Sequence, residues 1–203
     1  MTDQNAIRAD IAFMRALAEE GRDGPLVGGS ILLASGLCFG TASLANWATI
    51  TWRLIHNSWG LPAIWMVSLV VFMAYLFLSG VTRSRQGGTP RAIGMAWSGA
   101  GFSMFFVGLS LVVMAVRGHD AYVASAFMPF ILAIYGSAWF VAAALTRARW
   151  LYAVAFGAFG MALVVAWFAV DGAILYLIYA LSLYALVSAP GFVLMRQARP
   201  VSA

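Results

Sequence analysis

The sequence predicts an all-α polytopic membrane protein: a six-helix transmembrane bundle preceded by a cytoplasmic amphipathic helix, with both termini cytoplasmic. Three observations predict it. Of the 203 residues, 63% are hydrophobic and 9% charged, whereas a soluble domain is about half apolar and one-quarter charged; the mean hydropathy is +0.89. The apolar residues fall into six long runs. The few cationic residues gather between runs instead of within them.

The first element precedes the membrane. Across residues 4–20, Ile7, Ile11, Met14 and Leu17 recur at helical spacing, while Arg8, Asp10, Arg15, Glu19 and Glu20 take the remaining positions. Such alternation predicts an amphipathic helix that rests on the membrane surface or offers its apolar stripe to a partner. Its mixed charge weakens any attraction to anionic lipid. The segment lacks the basic start, short apolar core and cleavage site of a signal peptide, so it is expected to stay on the mature protein.

The six runs cover residues 26–48, 61–81, 92–116, 122–145, 150–170 and 173–195. Each is long enough to cross roughly 30 Å of hydrocarbon at about 1.5 Å per residue. Pro25 and Pro62 fall at first turns, where a missing amide is harmless; Pro129 and Pro190 fall inside runs 4 and 6 and are expected to kink them. Asp171-Gly172 predicts a tight hairpin between runs 5 and 6. The organisation is therefore 1–24 for the helix and linker, 25–195 for the membrane domain and 196–203 for a cytoplasmic tail.

All 12 cationic side chains are arginine. Arg8, Arg15, Arg22, Arg83, Arg85, Arg91, Arg147, Arg149, Arg196 and Arg199 fall on one side of the membrane, and only Arg53 and Arg117 on the other. Because flanks rich in arginine stay in the cytoplasm during insertion, both termini are predicted to be cytoplasmic, in a bacterial cytoplasmic membrane. The arginine-bearing exits "SGVTRSR" at 79–85 and "AALTRAR" at 143–149 resemble one another. Duplicated hairpins or the common chemistry of cytoplasmic exits would each explain them.

Composition excludes several activities. Without lysine there is no Schiff-base chemistry. Cys38 is the sole cysteine, so no internal disulfide or thiolate metal cage is available. The sequence pI is about 9.9, yet the arginines are scattered and form no basic stripe, so no nucleic-acid partner is expected. No run holds an Asp, Glu, Arg or His near its centre, which argues against proton- or sodium-coupled transport and against a haem held within the membrane. No catalytic residue, metal site or cofactor is expected. "WSGAGFSMFF" at 97–106 resembles the serine-bearing helix of rhomboid proteases, but no histidine lies in runs 4 to 6 to serve as its base. Gly94, Ser98, Gly99, Gly101 and Ser103 are then expected to be helix-packing positions.

Two features remain. Run 1 carries Ser30, Ala34, Cys38 and Ala42 at four-residue intervals, with Gly36 and Gly40 beside them, a ridge of small residues suited to close contact with another helix of this chain, a protein partner or a second copy in a homo-oligomer. "TITWRLIHNSWG" at 49–60 gathers Trp52, Arg53, His56, Asn57 and Trp59 between runs 1 and 2, on the predicted outer face with His119 and Asp120. Its tryptophans suit the headgroup level. Its polar residues would be solvated, or would rim an outward pocket; no ligand spacing supports a metal there.

Two functions fit: a non-enzymatic accessory protein that presents the residue 4–20 helix to a cytoplasmic or membrane partner, or a transport component for a neutral or amphipathic small molecule. In size, six-span topology and small-residue first helix the chain is similar to the substrate-binding subunits of energy-coupling-factor vitamin transporters. The resemblance implies that the loop after span 1, with Trp52, His56, Asn57 and Trp59, caps a ligand. It also implies that positions from Ser30 to Ala42 face an energising subunit.

Overall fold

The structure, a computed structural model, describes residues 28–55, 59–79, 88–118 and 125–197. Six helices in it are long and apolar enough to cross a membrane: α1 (Gly29–Thr51), α2 (Gly60–Ser79), α3 (Gly88–Val116), α4 (Phe127–Thr146), α5 (Arg149–Trp167) and α6 (Ala173–Gln197). No strand occurs among the described residues. The expected 4–20 helix, with Ile7, Ile11, Met14 and Leu17, lies outside them, as do Pro25 and most of the 82–91 loop.

Why helices form is plain from the solvent: in hydrocarbon every backbone amide and carbonyl must be satisfied within its own segment. Where they stop is set locally. The α4–α5 link is two residues, Arg147 and Ala148, and the reversal is made by Arg147 in the left-handed conformation at φ 57°. Thr146 secures it, donating through Oγ1 to the Ala142 carbonyl at 2.7 Å and accepting from the Ala148 amide at 3.4 Å. The α5–α6 turn closes as Asp171-Gly172 predicts, with Gly172 at φ 59° and the Asp171 amide bonded to the Phe168 carbonyl.

The two prolines expected to kink their helices behave differently. α4 is described from Phe127, which puts Pro129 in its first turn, where a missing amide is tolerated. Pro190 is interior, and a π-helical turn over Tyr184–Ser188 precedes it. Having no N–H, Pro190 leaves the carbonyl of Leu186, four residues back, without its helical donor. The indole of fully buried Trp139 in α4 supplies one, Nε1 donating to Leu186 O at 2.9 Å.

Packing is uneven. α1 lies antiparallel along the whole of α6, α4 and α5 form a tight hairpin, α2 packs on α1, and α3 packs on α4. Half of the membrane-spanning window is buried in α4 and in α6, against 0% in α2 and 6% in α3. The expected bundle is thus a four-helix centre with two flanking helices. Each flank is pinned by a tryptophan: Trp65 of α2 lies 6.3 Å from the Tyr179 ring and 6.5 Å from Phe39, and Trp97 of α3 meets Trp139 edge-on at 4.9 Å.

The α1–α6 contact is backbone to backbone. A Cβ placed on Gly29 would lie 2.6 Å from the Met195 amide nitrogen, and one on Gly191 2.6 Å from that of Leu33. Gly36 faces Ser188 and Gly40 faces the Tyr184 ring. Of the ridge expected on α1, Gly36 and Gly40 therefore meet α6, Cys38 and Ala42 turn toward α2, and Ser30 and Ala34 are half-buried. The small residues of α3 do not pack as expected, since a Cβ on Gly94, Gly99 or Gly101 meets nothing within 4 Å.

Gly191→Leu should abolish folded yield, or lower stability by more than the roughly 1–3 kcal/mol of ordinary overpacking, because the obstructing atoms are backbone. Gly99→Leu should leave the detergent melting temperature unchanged. Trp139→Phe should cost about 1–3 kcal/mol by orphaning the Leu186 carbonyl. That cost should shrink in a Pro190→Ala background, where an amide returns; equal costs in both backgrounds, measured by thermal unfolding, would refute the pairing.

Candidate functional site

The stretch at 49–60 divides between helix end and loop. α1 runs on to Thr51, three residues past the apolar run, and the Trp52 amide closes its last turn on the Ala48 carbonyl at 2.9 Å. Trp47 and Trp52 meet edge-on at 5.6 Å. Arg53 turns the chain at φ 50° and is exposed, as are Trp52 and Trp59. His56, Asn57, His119 and Asp120 lie outside the described residues. The structure therefore brings Trp52, Arg53 and Trp59 to one end of the α1–α2 hairpin, with their side chains free of the core.

Below them, α1 and α2 diverge around a cleft of about 700 Å³. Ile55, Trp59 and Gly60 stand at its mouth; Leu37, Cys38, Thr41 and Ala45 of α1 and Ala63, Ile64, Val67, Ser68 and Val71 of α2 form its walls. Ile55 folds back against Gly60, where a side chain would strike it. None of the described lining residues carries a charge. A smaller hollow of about 480 Å³ lies between α3 and α4 against Phe106 and Phe130.

Sequence reading passed over a row of buried polar groups on α1: Ser35, Ser43, Asn46 and Thr49. Ser43 Oγ donates to the Tyr176 carbonyl of α6 at 2.7 Å, and Ser35 Oγ donates to the Leu32 carbonyl at 3.0 Å while accepting from Tyr135 at 3.5 Å. Asn46 differs. Its side chain is fully buried, and neither the amide nitrogen nor the oxygen has a hydrogen-bond partner among the described residues. The signal was available, since a carboxamide inside an apolar run is costly to bury unpaired.

Chemical options are narrow. Ser98 spends its hydroxyl on the Gly94 carbonyl at 2.9 Å and Ser103 on that of Gly99, both on an exposed face. Cys38 is a half-buried free thiol. Among the described residues no three His, Cys, Asp or Glu side chains converge. The described residues of the cleft offer hydroxyls and the aromatic surface of Trp59.

The chain matches no protein-family model, no curated protein and no solved structure. Its function has to be argued from these residues.

Asn46→Leu should hold or raise the melting temperature, because an apolar side chain of similar size removes a desolvation cost of about 1–3 kcal/mol. A marked fall, measured in detergent after exhaustive delipidation, would mean that the amide is bonded after all.

Proposed function

We propose that the protein is a non-enzymatic accessory component of a bacterial cytoplasmic membrane, with both termini cytoplasmic, that engages a membrane or cytoplasmic partner through its residue 4–20 helix. The supporting observation is the four-helix centre. Glycines bring α1 against α6 with backbone in contact, and the polar groups set there are hydroxyls, an indole and one carboxamide, with no ionisable carboxylate, imidazole or guanidinium. A rigid closed centre suits a scaffold that displays an appended helix. The arginine asymmetry supports the orientation.

In this reading Ile7, Ile11, Met14 and Leu17 form the partner-facing stripe. A photoreactive amino acid at Met14, activated in growing cells, should yield a discrete protein adduct that Ile7→Asp with Ile11→Asp removes at normal membrane yield. Adducts to lipid alone would overturn the accessory role. A cysteine at Ser84 should resist an impermeant thiol reagent in intact cells and react after lysis; reaction in intact cells would overturn the orientation.

A second reading has its own support. Trp59 and Ile55 line the cleft between α1 and α2, next to the loop that would cap a ligand if the similarity to vitamin-transporter binding subunits extends to function. Under it the protein receives a neutral or amphipathic small molecule at its outer face. Uptake or retention of that molecule, unaffected by the Ile7 and Ile11 substitutions, would favour it.

A further inference from the structure

Hydroxyls in membrane helices ordinarily return to their own backbone, donating to a carbonyl one turn back. Ser103, Ser110, Ser137 and Ser182 do this, at 2.7–3.0 Å. Ser68 of α2 does not: it is half-buried, lines the α1–α2 cleft, and has no hydrogen-bond partner among the described residues. Thr41, on the facing wall, also withholds its hydroxyl from its own helix, pairing at 3.1 Å with the hydroxyl of Tyr184 in α6. One of those two protons makes the pair and the other stays available.

The groups share a depth. Thr41 lies ten residues before the end of α1 at Thr51, and Ser68 eight residues after the start of α2 at Gly60. At 1.5 Å per residue both sit about 12–15 Å along their helices from the α1–α2 turn, well inside the two apolar spans that cross a hydrocarbon layer roughly 30 Å thick. Hydrogen-bond donors there have no water to satisfy them. Around them the described lining residues are largely apolar and carry no charge, and the cleft volume of about 700 Å³ falls within the 300–1,000 Å³ typical of small-molecule sites.

We propose that the α1–α2 cleft binds a neutral membrane-dissolved amphiphile, a molecule with an apolar body and one alcohol or carbonyl oxygen that meets Ser68 and the Thr41–Tyr184 pair. A charged ligand would find no counter-charge among the described lining residues. A plain acyl chain would leave both hydroxyl groups unused. The inference rests on the small-molecule reading of the cleft and adds the class of ligand to it; it does not depend on the residue 4–20 helix.

The test uses the full chain in phospholipid nanodiscs, photolabelled with a diazirine-bearing hexadecanol and, in parallel, with the corresponding diazirine-bearing hexadecane. Peptide mapping should place the alcohol on residues 37–45 and 59–71, in excess over the hydrocarbon and displaced by unlabelled hexadecanol. Ser68→Ala, which breaks no hydrogen bond in the fold, should lower alcohol labelling by roughly three- to tenfold, the weight of one neutral hydrogen bond, and leave hydrocarbon labelling unchanged. Ala63→Phe, which fills the cleft from the α2 wall, should remove both. Equal labelling by the two probes, labelling spread evenly over the lipid-facing surfaces of α2 and α3, or indifference to Ser68→Ala would each overturn the proposal. Selective labelling in a protein that transports nothing would leave the ligand class standing and remove only the transport role.

Discussion

The close approach of α1 to α6 is the constraint from which the rest of this structure follows. Lipid tails are as apolar as leucine, so membrane helices gain nothing from merely hiding hydrophobic side chains from one another, and must associate by contact and hydrogen bonding. Gly29, Gly36 and Gly40 on one helix and Ser188 and Gly191 on the other remove the side chains that would hold the backbones apart. Contact then extends along the whole length of both helices. It also brings backbone carbonyls of α6 within reach of neighbouring side chains, which is how Ser43 reaches the Tyr176 carbonyl.

The π-helical turn in α6 belongs to the same contact. Pro190 sits beside Gly191, the tightest point of the α1 approach, and costs α6 one hydrogen bond at the Leu186 carbonyl. In water a solvent molecule would satisfy that carbonyl. In the membrane the donor has to come from protein, and Trp139 provides it from α4. One defect in α6 thus fixes the position of α4, and α5 follows because only Arg147 and Ala148 connect it to α4. Four of the six helices are placed by these relationships.

The other two helices are placed more loosely, and the open space lies beside them. α2 and α3 keep nearly all their surface for lipid and are held largely by aromatic contacts, Trp65 on Tyr179 and Trp97 on Trp139. The α1–α2 cleft lies there, and its walls carry the hydroxyl of Ser68, which bonds to no described residue, and that of Thr41, which pairs with Tyr184. Asn46 and Ser188 are a different case: they are sealed inside with no opening, and their cost falls on stability.

Six helices and their approximate ends were legible in the sequence because the bilayer imposes a length and a polarity on any chain that crosses it, whatever its neighbours. The turn at Asp171-Gly172 was legible for a similarly local reason. Position within the bundle was not. The ridge through Ser30, Ala34, Cys38 and Ala42 and the small residues of α3 look equally suited to packing, yet Gly36 and Gly40 meet α6 while Gly94, Gly99 and Gly101 meet open space. Small residues permit close approach without naming the partner. Likewise Pro129 and Pro190 differ only in where α4 and α6 begin, and Ser68 and Ser103 both line hollows although only Ser103 bonds back to its own helix. The sequence by itself determined which segments cross hydrocarbon, since that depends on each segment's own transfer from water; the tertiary structure alone decided which faces are buried and which hydroxyls stay free, since these depend on contacts between different helices, 47 positions apart for Trp139 and Leu186 and 133 for Ser43 and Tyr176.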